Sequence, residues 1–442
     1  MRTIAQQRTA ELVEQKYRLR TVTSAKLHSA AQKVMPGGNS RSIVYFDPYP
    51  TYLRRGYGCR VKDVDENEYV DFVNNYTSLI HGHAYPAIVE ALREQTTCGT
   101  AFAAPTEAQT RLAGILTDRI ASLERVRFCN SGTEATMMAI RAAKAFTGRD
   151  RILKLDGGYH GTHDAAVAVP AEGGKDQNKG LFRGVVADVL SIPANDLEMA
   201  AEIFNRHGHE LAAVIAEPIM GAAGLIQLER EFIHYLSSAA KACGALFILD
   251  EVITFRLAYG GAQQLYGVRP DLTALGKVIG GGLPVGAFGG RADVMALFEP
   301  GAGKLAHSGT FSGNEATMVA GIAALEAFDE EAIERVNRLG DRLRDGVRAA
   351  FKQTGVQGQA IGLGSLVGIH FTTQPLRNYR DTLQPTRAIL PMLQLSLLNQ
   401  GIFVAPRMCP CISTPMAEAE VDEFVDAFGR SLLDLRDEFQ NA

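Results

Sequence analysis

Cysteine is scarce in this sequence, and none of its six cysteines forms a CxxC pair. Such pairs are the usual signature of zinc sites and of thioredoxin-like redox motifs, so neither is expected. Cys409-Pro-Cys411 leaves a redox pair open, but two small thiols in a buried loop are the favoured interpretation. His160 and His163 stand close together in the sequence without an evident third ligand, so we expect no metal.

Excess positive charge and long apolar runs are missing as well. Lysine and arginine number 45 against 49 for aspartate and glutamate, which gives a formal net charge of −4. Such a chain has no basic surface to attract nucleic acid or anionic lipid, so we expect neither as a partner. No apolar run approaches the length that spans a bilayer, and the N-terminal segment lacks the apolar core of a signal peptide. We therefore expect a cytoplasmic protein.

What the sequence does contain is typical of a folded globular protein. Hydrophobic residues make up 46% of the chain and charged residues 21%. At 442 residues the chain is too long for one ordinary core, which predicts a large domain with a smaller companion.

Between about residues 86 and 314, helical stretches alternate with short apolar runs. This alternation is typical of βαβ units and of a mostly parallel sheet covered on both faces. Residues 1–35 have the pattern of a helix, and residues 51–73 that of short strands joined by an acidic turn at 63–67. Helical patterns return over residues 315–355. The apolar runs predicted as strands of the sheet are 126–128, 151–155, 212–216, 245–249 and 272–275, and the later elements are a strand at 365–371, a helix near 386–400, a strand at 402–405 and an acidic helix at the end.

Polar residues follow four of the predicted strands. In open parallel sheets, ligands bind just beyond the carboxyl ends of the strands. We therefore expect these residues to meet at one crevice. They are Asn130-Ser131-Gly132-Thr133, Glu217, Asp250-Glu251 and Lys277.

Lys277 follows one of these runs and precedes a cluster of glycines. Apolar neighbours would partly desolvate its ammonium group, and desolvation favours the neutral amine that attacks carbonyl groups. A surface lysine in a loop is the plainer interpretation, and the glycines and the other polar residues weigh against it. The segment is not a Walker A loop, because Val278 stands where serine or threonine is needed, and Val285 breaks the GxGxxG spacing.

Asp250 ends the run GALFILD, and a buried carboxylate there needs a positive partner. A protonated pyridine nitrogen would supply one and would remain an electron sink beside the charge. The alternative is an aspartate that caps the next helix. We favour the pyridine, because Glu251 and Val252 are expected to continue the strand.

The segment that begins at Ser131 suits an anion. Ser131, Gly132 and Thr133 are predicted to form the first turn of a helix, where free N–H groups and the positive end of the dipole attract phosphate. Simple capping by Ser131 with Glu134 as its partner is compatible with this role. Tyr159, after another strand, could stack on a flat cofactor.

Together these segments resemble the fold-type I, class III aminotransferases over roughly residues 35–430. The resemblance implies pyridoxal 5′-phosphate as cofactor and a large domain (86–314) with a mostly parallel seven-stranded sheet. It also implies a smaller α+β domain built from residues 1–85 and 315–442. The segments that carry it are NSGTEATMMAIRAA, KLDGGYHG, AEPIMG, LFILDEVITFR, PDLTALGKVIGGGLPVGAFGG and HSGTFSGN.

The resemblance also implies a role for each candidate residue. Lys277 would hold the cofactor as a Schiff base, and Asp250 would pair with the pyridine nitrogen. Thr310 would reach the phosphate in the neighbouring subunit, which implies a homodimer with shared sites. The other implied cofactor contacts are Ser131, Gly132 and Thr133 at the phosphate, Tyr159 and Val252 at the ring, and His160 and Glu217.

Two subgroups of the family are similar to this sequence. FAAPTEAQ and GGLPVGAFGGRADVM resemble glutamate-1-semialdehyde 2,1-aminomutase, whereas MPGGNSRSIVYFDPYP, NNYTSLIHGH and VAPR resemble the β-amino-acid (β-phenylalanine-type) aminotransferases. Residues 165–184 lack the small-residue gating loop expected of the mutase, and Arg407 stands where the mutase pattern has no arginine. We therefore predict an aminotransferase that moves an amino group from a β-amino acid to 2-oxoglutarate or pyruvate, with the mutase as the alternative.

Recognition of a substrate carboxylate calls for a planar bidentate donor, which arginine provides. Arg41 and Arg407 are the candidates on account of their flanking motifs, although each could be an ordinary surface arginine. Ile43 and Tyr76 are predicted to form an apolar wall beside them. A Rossmann-type dehydrogenase would need the dinucleotide fingerprint that is missing here, and an inactive homologue would be expected to have lost Lys277 or Asp250.

Overall fold

The computed structural model describes residues 4–169, 178–301 and 304–440. The chain divides into two compact units. The larger unit comprises residues 86–334 and 376–382, and the smaller unit comprises residues 1–85, 335–375 and 383–442. The sequence predicted that the large domain ends at residue 314, before the helices of residues 315–355. In the structure the main segment of the larger unit continues to residue 334, inside a helix that begins at Glu330.

Fifteen strands lie within the described stretches. In chain order they are β1 (Leu53–Tyr57), β2 (Arg60–Asp63), β3 (Glu68–Asp71), β4 (Arg125–Cys129), β5 (Arg151–Leu155), β6 (Val189–Ile192), β7 (Leu211–Ala216), β8 (Ile219–Met220), β9 (Ile226–Gln227), β10 (Leu246–Asp250), β11 (Leu272–Gly276), β12 (Gly286–Gly290), β13 (Gln359–Ile361), β14 (Gly368–His370) and β15 (Ile402–Phe403).

The same stretches contain seventeen α-helical segments, apart from short 3-10 helices. They are α1 (Ile4–Arg20), α2 (Val22–Ala31), α3 (Asn74–Thr77), α4 (Pro86–Cys98), α5 (Glu107–Arg119), α6 (Gly132–Thr147), α7 (Asp164–Val167), α8 (Arg183–Ala187), α9 (Leu197–His207), α10 (Arg230–Cys243), α11 (Ala262–Tyr266), α12 (Ala292–Met295), α13 (Glu315–Glu326), α14 (Glu330–Thr354), α15 (Leu390–Leu398), α16 (Glu418–Asp434) and α17 (Arg436–Gln440). The single turn α3 is left-handed and is described with the site below.

A seven-stranded sheet forms the centre of the larger unit, in the order β4-β12-β11-β10-β7-β5-β6. Strand β12 runs antiparallel to both of its neighbours, and the other pairs are parallel. Every residue of β7, β10 and β11 is buried, as expected for central strands covered on both faces. The predicted mostly parallel, seven-stranded α/β architecture is confirmed.

Helix α6 crosses one face of this sheet on a strip of small and apolar residues. Ala135, Met138 and Ala142 of the helix share a buried core with Ile248 of β10 and Ala274 of β11. Alanine at these positions lets the helix axis lie close to the strands. The N-terminus of α6 is thereby fixed beside the ends of β10 and β11.

In the smaller unit, four strands pair in the order β1-β2-β3-β15. The predicted acidic turn joins β2 to β3, and Asp63 Oδ1 accepts hydrogen bonds from the backbone of Asp65 (2.9 Å) and Asn67 (2.8 Å). The N-terminal segment predicted as one helix is divided into α1 and α2 at Thr21. The hydroxyl of Thr21 donates to the carbonyl of Tyr17 (2.7 Å) at this break.

The predicted strand at 365–371 and the predicted helix near 386–400 are shorter in the structure, as β14 and α15. Cys411 is buried and Cys409 is half-buried. Among the helices of the described stretches, none has the length and apolar character needed to cross a membrane.

Candidate active site

Four strands of the large sheet deliver polar residues to one edge. Strands β4, β7, β10 and β11 run in the same direction, so their carboxyl ends lie together. Ser131 follows β4, Glu217 follows β7, Asp250 ends β10 and Lys277 follows β11. The convergence expected from the sequence is therefore present in the larger unit.

Asp250 is 4% exposed and uses both carboxylate oxygens. Its Oδ1 accepts the backbone N–H of Val252 at 3.0 Å, and its Oδ2 lies 2.8 Å from Nδ1 of the buried His160. These two contacts fix the plane of the carboxylate. A buried acid held in this way needs a further positive group on its open side, and a protonated pyridine nitrogen suits that position.

The expectation that Glu251 and Val252 continue the strand is wrong. Strand β10 ends at Asp250, and a turn leads into a short 3-10 helix at Thr254–Leu257. The reason lies in the buried carboxylate of Glu251, which accepts hydrogen bonds from the hydroxyl of Thr254 (2.6 Å) and from the backbone of Ala262 (2.9 Å). These hydrogen bonds stabilise the turn after Asp250, so the strand ends there.

Glu217 fixes the loop that carries Tyr159. Its Oε1 accepts the backbone N–H of Tyr159 at 2.9 Å, and its Oε2 accepts that of Gly221 at 3.0 Å. The pKa of Glu217 is raised to about 7, chiefly by burial; His160 lowers it and the nearby Asp250 raises it by smaller amounts. The ring of Tyr159 itself is 52% exposed, so its faces are open to a flat ligand.

The start of α6 has the features of an anion site. Ser131 Oγ accepts the N–H of Glu134 at 3.1 Å, and the carboxylate of Glu134 accepts the N–H of Asn130. Capping by Ser131 is confirmed, whereas Glu134 binds the N–H of the preceding residue, Asn130, rather than that of Ser131. The N–H groups of Gly132 and Thr133 in the first turn lack intrahelical acceptors by geometry, and they lie at the positive end of the helix dipole.

Close packing places Val252 and Gly276 against this helix start. A Cβ atom on Gly132 would lie 3.0 Å and 3.1 Å from the two methyl carbons of Val252. A Cβ atom on Gly276 would lie 3.3 Å from Val252 Cγ1 and 3.6 Å from Gly132 Cα. The residue after Gly276 is Lys277, so the lysine leaves the chain beside the anion site.

Lys277 has a left-handed backbone conformation, with φ of 50°. This conformation costs a non-glycine residue about 1–2 kcal/mol, so the surrounding structure must impose it. It occurs at the point where β11 ends and the chain turns into the 3-10 helix Lys277–Gly280. Strain of this kind is typical of functional positions.

Thr136, which the sequence did not single out, supports the loop of His160. The hydroxyl of Thr136 donates to the carbonyl of His160 at 2.6 Å and lies 3.3 Å from His163 Nε2. Burial, with a smaller contribution from His160, lowers the pKa of His163 to about 4. Thr136 lies one helical turn after Gly132, which was the only signal for it in the sequence.

The residues of the larger unit fit a flat cofactor with a phosphate group. They combine an anion site, a lysine, a buried carboxylate and an exposed aromatic ring. One buried polar atom lacks a partner among the described residues of this site, namely Nε2 of His160. The predicted cofactor residues Ser131, Gly132, Thr133, Tyr159, His160, Glu217, Asp250, Val252 and Lys277 all lie at this edge of the sheet or in its adjoining loops, whereas Thr310 is exposed in the loop before α13.

The structure brings the predicted substrate residues together in the smaller unit. The guanidinium carbon of Arg41 lies 5.1 Å from the centre of the Tyr76 ring, and the Tyr76 hydroxyl donates to the carbonyl of Ile43 at 2.6 Å. Burial raises the pKa of Tyr76, and the positive charges of Arg41 and Arg407 both lower it. Both arginines are thus close enough to act on one hydroxyl. Asn75, which the sequence did not single out, accepts a hydrogen bond from Arg41 Nη1 at 2.8 Å.

Known proteins match this chain over most of its length. The family model Aminotransferase class-III matches residues 45–428. A solved ω-transaminase structure from Sphaerobacter thermophilus superposes with a TM-score of 0.90 and 45% identity, covering 93% of this chain and 98% of that one.

Two curated relatives are similar to this chain to the same degree. The β-phenylalanine transaminase of Variovorax paradoxus is 40% identical over 407 residues, which are 92% of each chain. The glutamate-1-semialdehyde 2,1-aminomutase of Methanothermobacter thermautotrophicus is 39% identical over 391 residues, which are 88% of this chain and 93% of its own. Overall identity therefore does not distinguish between the two reactions.

Proposed function

This chain belongs to the class III aminotransferases, which depend on pyridoxal 5′-phosphate, and we propose that it moves the amino group of a β-amino acid to a keto acid. The donor can carry an aromatic or aliphatic side group. The acceptor is 2-oxoglutarate or pyruvate.

The observation that carries this proposal is that Arg41 stacks on the Tyr76 ring and that the positive charge of Arg407 also acts on the Tyr76 hydroxyl. A transaminase that takes a β-amino acid and a keto acid handles two substrates that each carry a carboxylate, and 2-oxoglutarate carries two. Arginine binds carboxylates with two parallel hydrogen bonds. We assign the donor carboxylate to Arg41 and the acceptor to Arg407, with Ile43 and Tyr76 beside the donor's side group. Glutamate 1-semialdehyde carries one carboxylate, so a second arginine favours the transaminase.

In the larger unit, each residue at the sheet edge has a task toward the cofactor. When bound, pyridoxal phosphate supplies an electron sink for the charge that develops on the substrate carbon. Asp250 would hold a proton on the ring nitrogen, and His160 would hold Asp250 in place. The Nζ atom of Lys277 would bind the cofactor covalently and, once released, would move a proton from the amine-bearing carbon of the substrate. The remaining contacts proposed are Ser131, Gly132 and Thr133 at the phosphate, Val252 and Tyr159 at the ring faces, and Glu217 behind Tyr159.

We also infer that the enzyme acts as a homodimer with shared sites. Thr310 is exposed in its own chain, as is Phe311 next to it. An exposed polar residue beside an exposed aromatic ring suits a surface that a second subunit covers. Thr310 would then contact the cofactor phosphate in the partner subunit.

The mutase remains the second candidate, because a mutase is as similar in sequence as the transaminase. The missing gating loop was one reason to set it aside. The loop would lie within residues 165–184, of which 170–177 lie outside the described residues. The arginine pair therefore carries the choice alone.

Two arginine variants test the assignment in the holoenzyme. Arg407→Ala should weaken the use of the keto acid by about 2 kcal/mol, roughly thirty-fold in kcat/KM, which is the scale of a lost charge-assisted contact. Arg41→Ala should impair carboxylate-bearing donors to a similar extent and spare plain amines. Arg54→Ala removes an exposed arginine paired with Glu66 and serves as the matched control. Equal losses for donors and acceptors in both variants would refute the division of roles.

A further inference from the structure

Residues 74–77 form a left-handed turn that contains no glycine. The φ angles are 46° at Asn74, 47° at Asn75, 56° at Tyr76 and 73° at Thr77. Each non-glycine residue in this region costs about 1–2 kcal/mol, and such residues usually occur singly. Tyrosine and threonine lack the short amide that makes the region tolerable for asparagine. Strain of this size persists where the surroundings impose it, and it often accompanies ligand binding.

The surroundings of the turn explain how it is held. Oδ1 of the buried Asp71 accepts the backbone N–H groups of Val73 (2.8 Å) and Asn74 (2.9 Å), and its Oδ2 lies 2.7 Å from His83 Nε2. Asn74 is 0% exposed, and its Nδ2 donates to the carbonyl of Cys411 at 2.9 Å. The turn is therefore anchored within the smaller unit through the buried side chains of Asp71 and Asn74. The side chains of the next two residues, Asn75 and Tyr76, are not part of this anchor.

Those two side chains contact the same guanidinium. Asn75 Oδ1 accepts from Arg41 Nη1 at 2.8 Å, and the Tyr76 ring lies under the guanidinium carbon at 5.1 Å. The Tyr76 hydroxyl is bonded to the carbonyl of Ile43, two residues beyond Arg41. The turn thus contacts both the guanidinium group of Arg41 and the backbone segment that carries Arg41.

The hydrogen-bond acceptor of the Arg41 guanidinium is the neutral side-chain amide of Asn75. Among the residues that the structure describes, Arg41 has no ion pair with an acidic side chain, although it is exposed. Arg60 in the same unit illustrates the contrary case, since it lies near Glu68, Glu420 and Glu423. An amide oxygen orients a guanidinium without cancelling its charge, and a carboxylate at the same place would cancel it.

We propose that Asn75 is a positioning residue that determines specificity for carboxylate-bearing donors. Its neutral amide orients Arg41 and leaves the positive charge free for the carboxylate of the incoming amino acid. The inference rests on the proposed function, because it takes Arg41 as the carboxylate receiver. Replacing the amide with a carboxylate would give Arg41 an internal partner that competes with the substrate.

The test measures binding to the holoenzyme rather than turnover. The probes are 3-phenylpropanoate and propanoate, which have a carboxylate and no amine, and the corresponding neutral amides. Calorimetry gives the ratio of affinities, carboxylate over amide, for the wild type, Asn75→Asp and Arg41→Ala. Aspartate tolerates left-handed dihedral angles and is nearly isosteric with asparagine, so the turn should be retained. Cofactor loading and Tm confirm that each variant is folded.

We expect Asn75→Asp to lower the carboxylate preference at least about tenfold, the scale of one charge-assisted contact, and to approach Arg41→Ala. In turnover, the same variant should raise KM for a β-amino acid and leave kcat nearly unchanged. Asn39→Asp is the matched control, because it adds the same charge to the segment of Arg41 while its side chain bonds the Arg41 backbone N–H rather than the guanidinium.

The outcomes separate the two claims. If Arg41→Ala abolishes the carboxylate preference and Asn75→Asp keeps it at the wild-type level, the role of Asn75 is overturned and the proposed function stands. If Arg41→Ala keeps the preference, or the wild type has none, Arg41 is not the carboxylate receiver and both claims fail. An equal loss in Asn75→Asp and Asn39→Asp would also overturn the inference, since a general charge effect would then explain it.

Discussion

Asp250 and Glu251 are adjacent buried acids with different tasks. Asp250 faces the sheet edge and His160, whereas Glu251 binds hydroxyl and backbone groups of the turn that follows β10. We propose that Asp250 acts on the cofactor, whereas Glu251 holds the turn after β10 in shape. A single substitution at each position can therefore separate chemistry from stability.

We predict that Asp250→Asn lowers kcat by more than about tenfold, or about 1.4 kcal/mol, and changes KM less. The amide can still accept the N–H of Val252, but it carries no charge to keep a ring nitrogen protonated. Glu251→Gln is the matched control. It should lower Tm and leave kcat per folded active site near the wild-type value. A loss in kcat smaller than tenfold in Asp250→Asn would show that Asp250 is not the partner of the nitrogen.

Glu217 makes the stability of the cofactor-free protein depend on pH. Burial raises its pKa from 4.5 to about 7, so the folded state favours the protonated acid. The resulting stabilisation is complete below about pH 4.5 and is lost as the pH rises through about 7. Glu217→Gln imitates the protonated acid and should flatten the profile. Denaturant unfolding at pH values from about 5 to 8 measures the effect, and parallel profiles for the two proteins would contradict it.

At the scale of elements, strand β5 carries a buried lysine. Lys154 is 5% exposed, and its ammonium group donates to the carbonyl of Ala166 at 2.5 Å. Burial lowers its pKa from 10.5 to about 8, so the stability that the neutral amine provides above about pH 10.5 is lost as the pH falls through about 8. At neutral pH the strand therefore buries a charge at a cost.

We predict that Lys154→Met raises Tm at pH 7, because methionine fills the same space without a charge to desolvate. The gain should shrink at pH 10, where the wild-type lysine is largely neutral. Differential scanning calorimetry at both pH values measures it. A Tm that falls equally at both pH values would mean that the bond to Ala166 outweighs the cost of burial.

Five strands of the large sheet were predicted from their apolar runs, β6 was missed, and strand β12 could not be predicted. Its residues, GAFGG, have neither the apolar run nor the alternation of a strand. The glycines are dictated by a tertiary contact, since a Cβ atom on Gly286 would lie 2.0 Å from the carbonyl oxygen of Ser131. A local pattern does not contain that contact. The residues that follow the apolar strands, and so form the candidate site, could be predicted because a local apolar run shows where each of those strands ends.

The left-handed turn at residues 74–77 could not be predicted from the sequence either, because it also depends on a tertiary contact. Two asparagines permit a left-handed conformation, but Tyr76 and Thr77 disfavour it. The conformation depends on the anchor of Asn74 to Cys411, which is 337 residues away in the chain. The sequence therefore indicated Tyr76 through its flanking motif and missed Asn75.

At the scale of the whole molecule, the proposed homodimer with shared sites can be tested by mixing subunits. Lys277→Ala removes the lysine of a site, and Thr310→Ala would remove a phosphate contact from the partner's site. A heterodimer of the two variants would contain one intact site only if Thr310 acts across the interface. We predict that refolded mixtures regain activity above that of either variant alone. Mixtures no more active than the average of the two variants would place Thr310 in the site of its own chain.

The central claim is that the enzyme transfers an amino group between two molecules. The most direct measurement is product formation by the purified holoenzyme from a β-amino acid, with and without 2-oxoglutarate or pyruvate, with Lys277→Ala as the inactive control. We predict continuous turnover only with a keto acid, and glutamate or alanine formed in step with the loss of the donor. Conversion of glutamate 1-semialdehyde to 5-aminolevulinate without any acceptor, together with no reaction of β-amino acids, would contradict the account and identify a mutase.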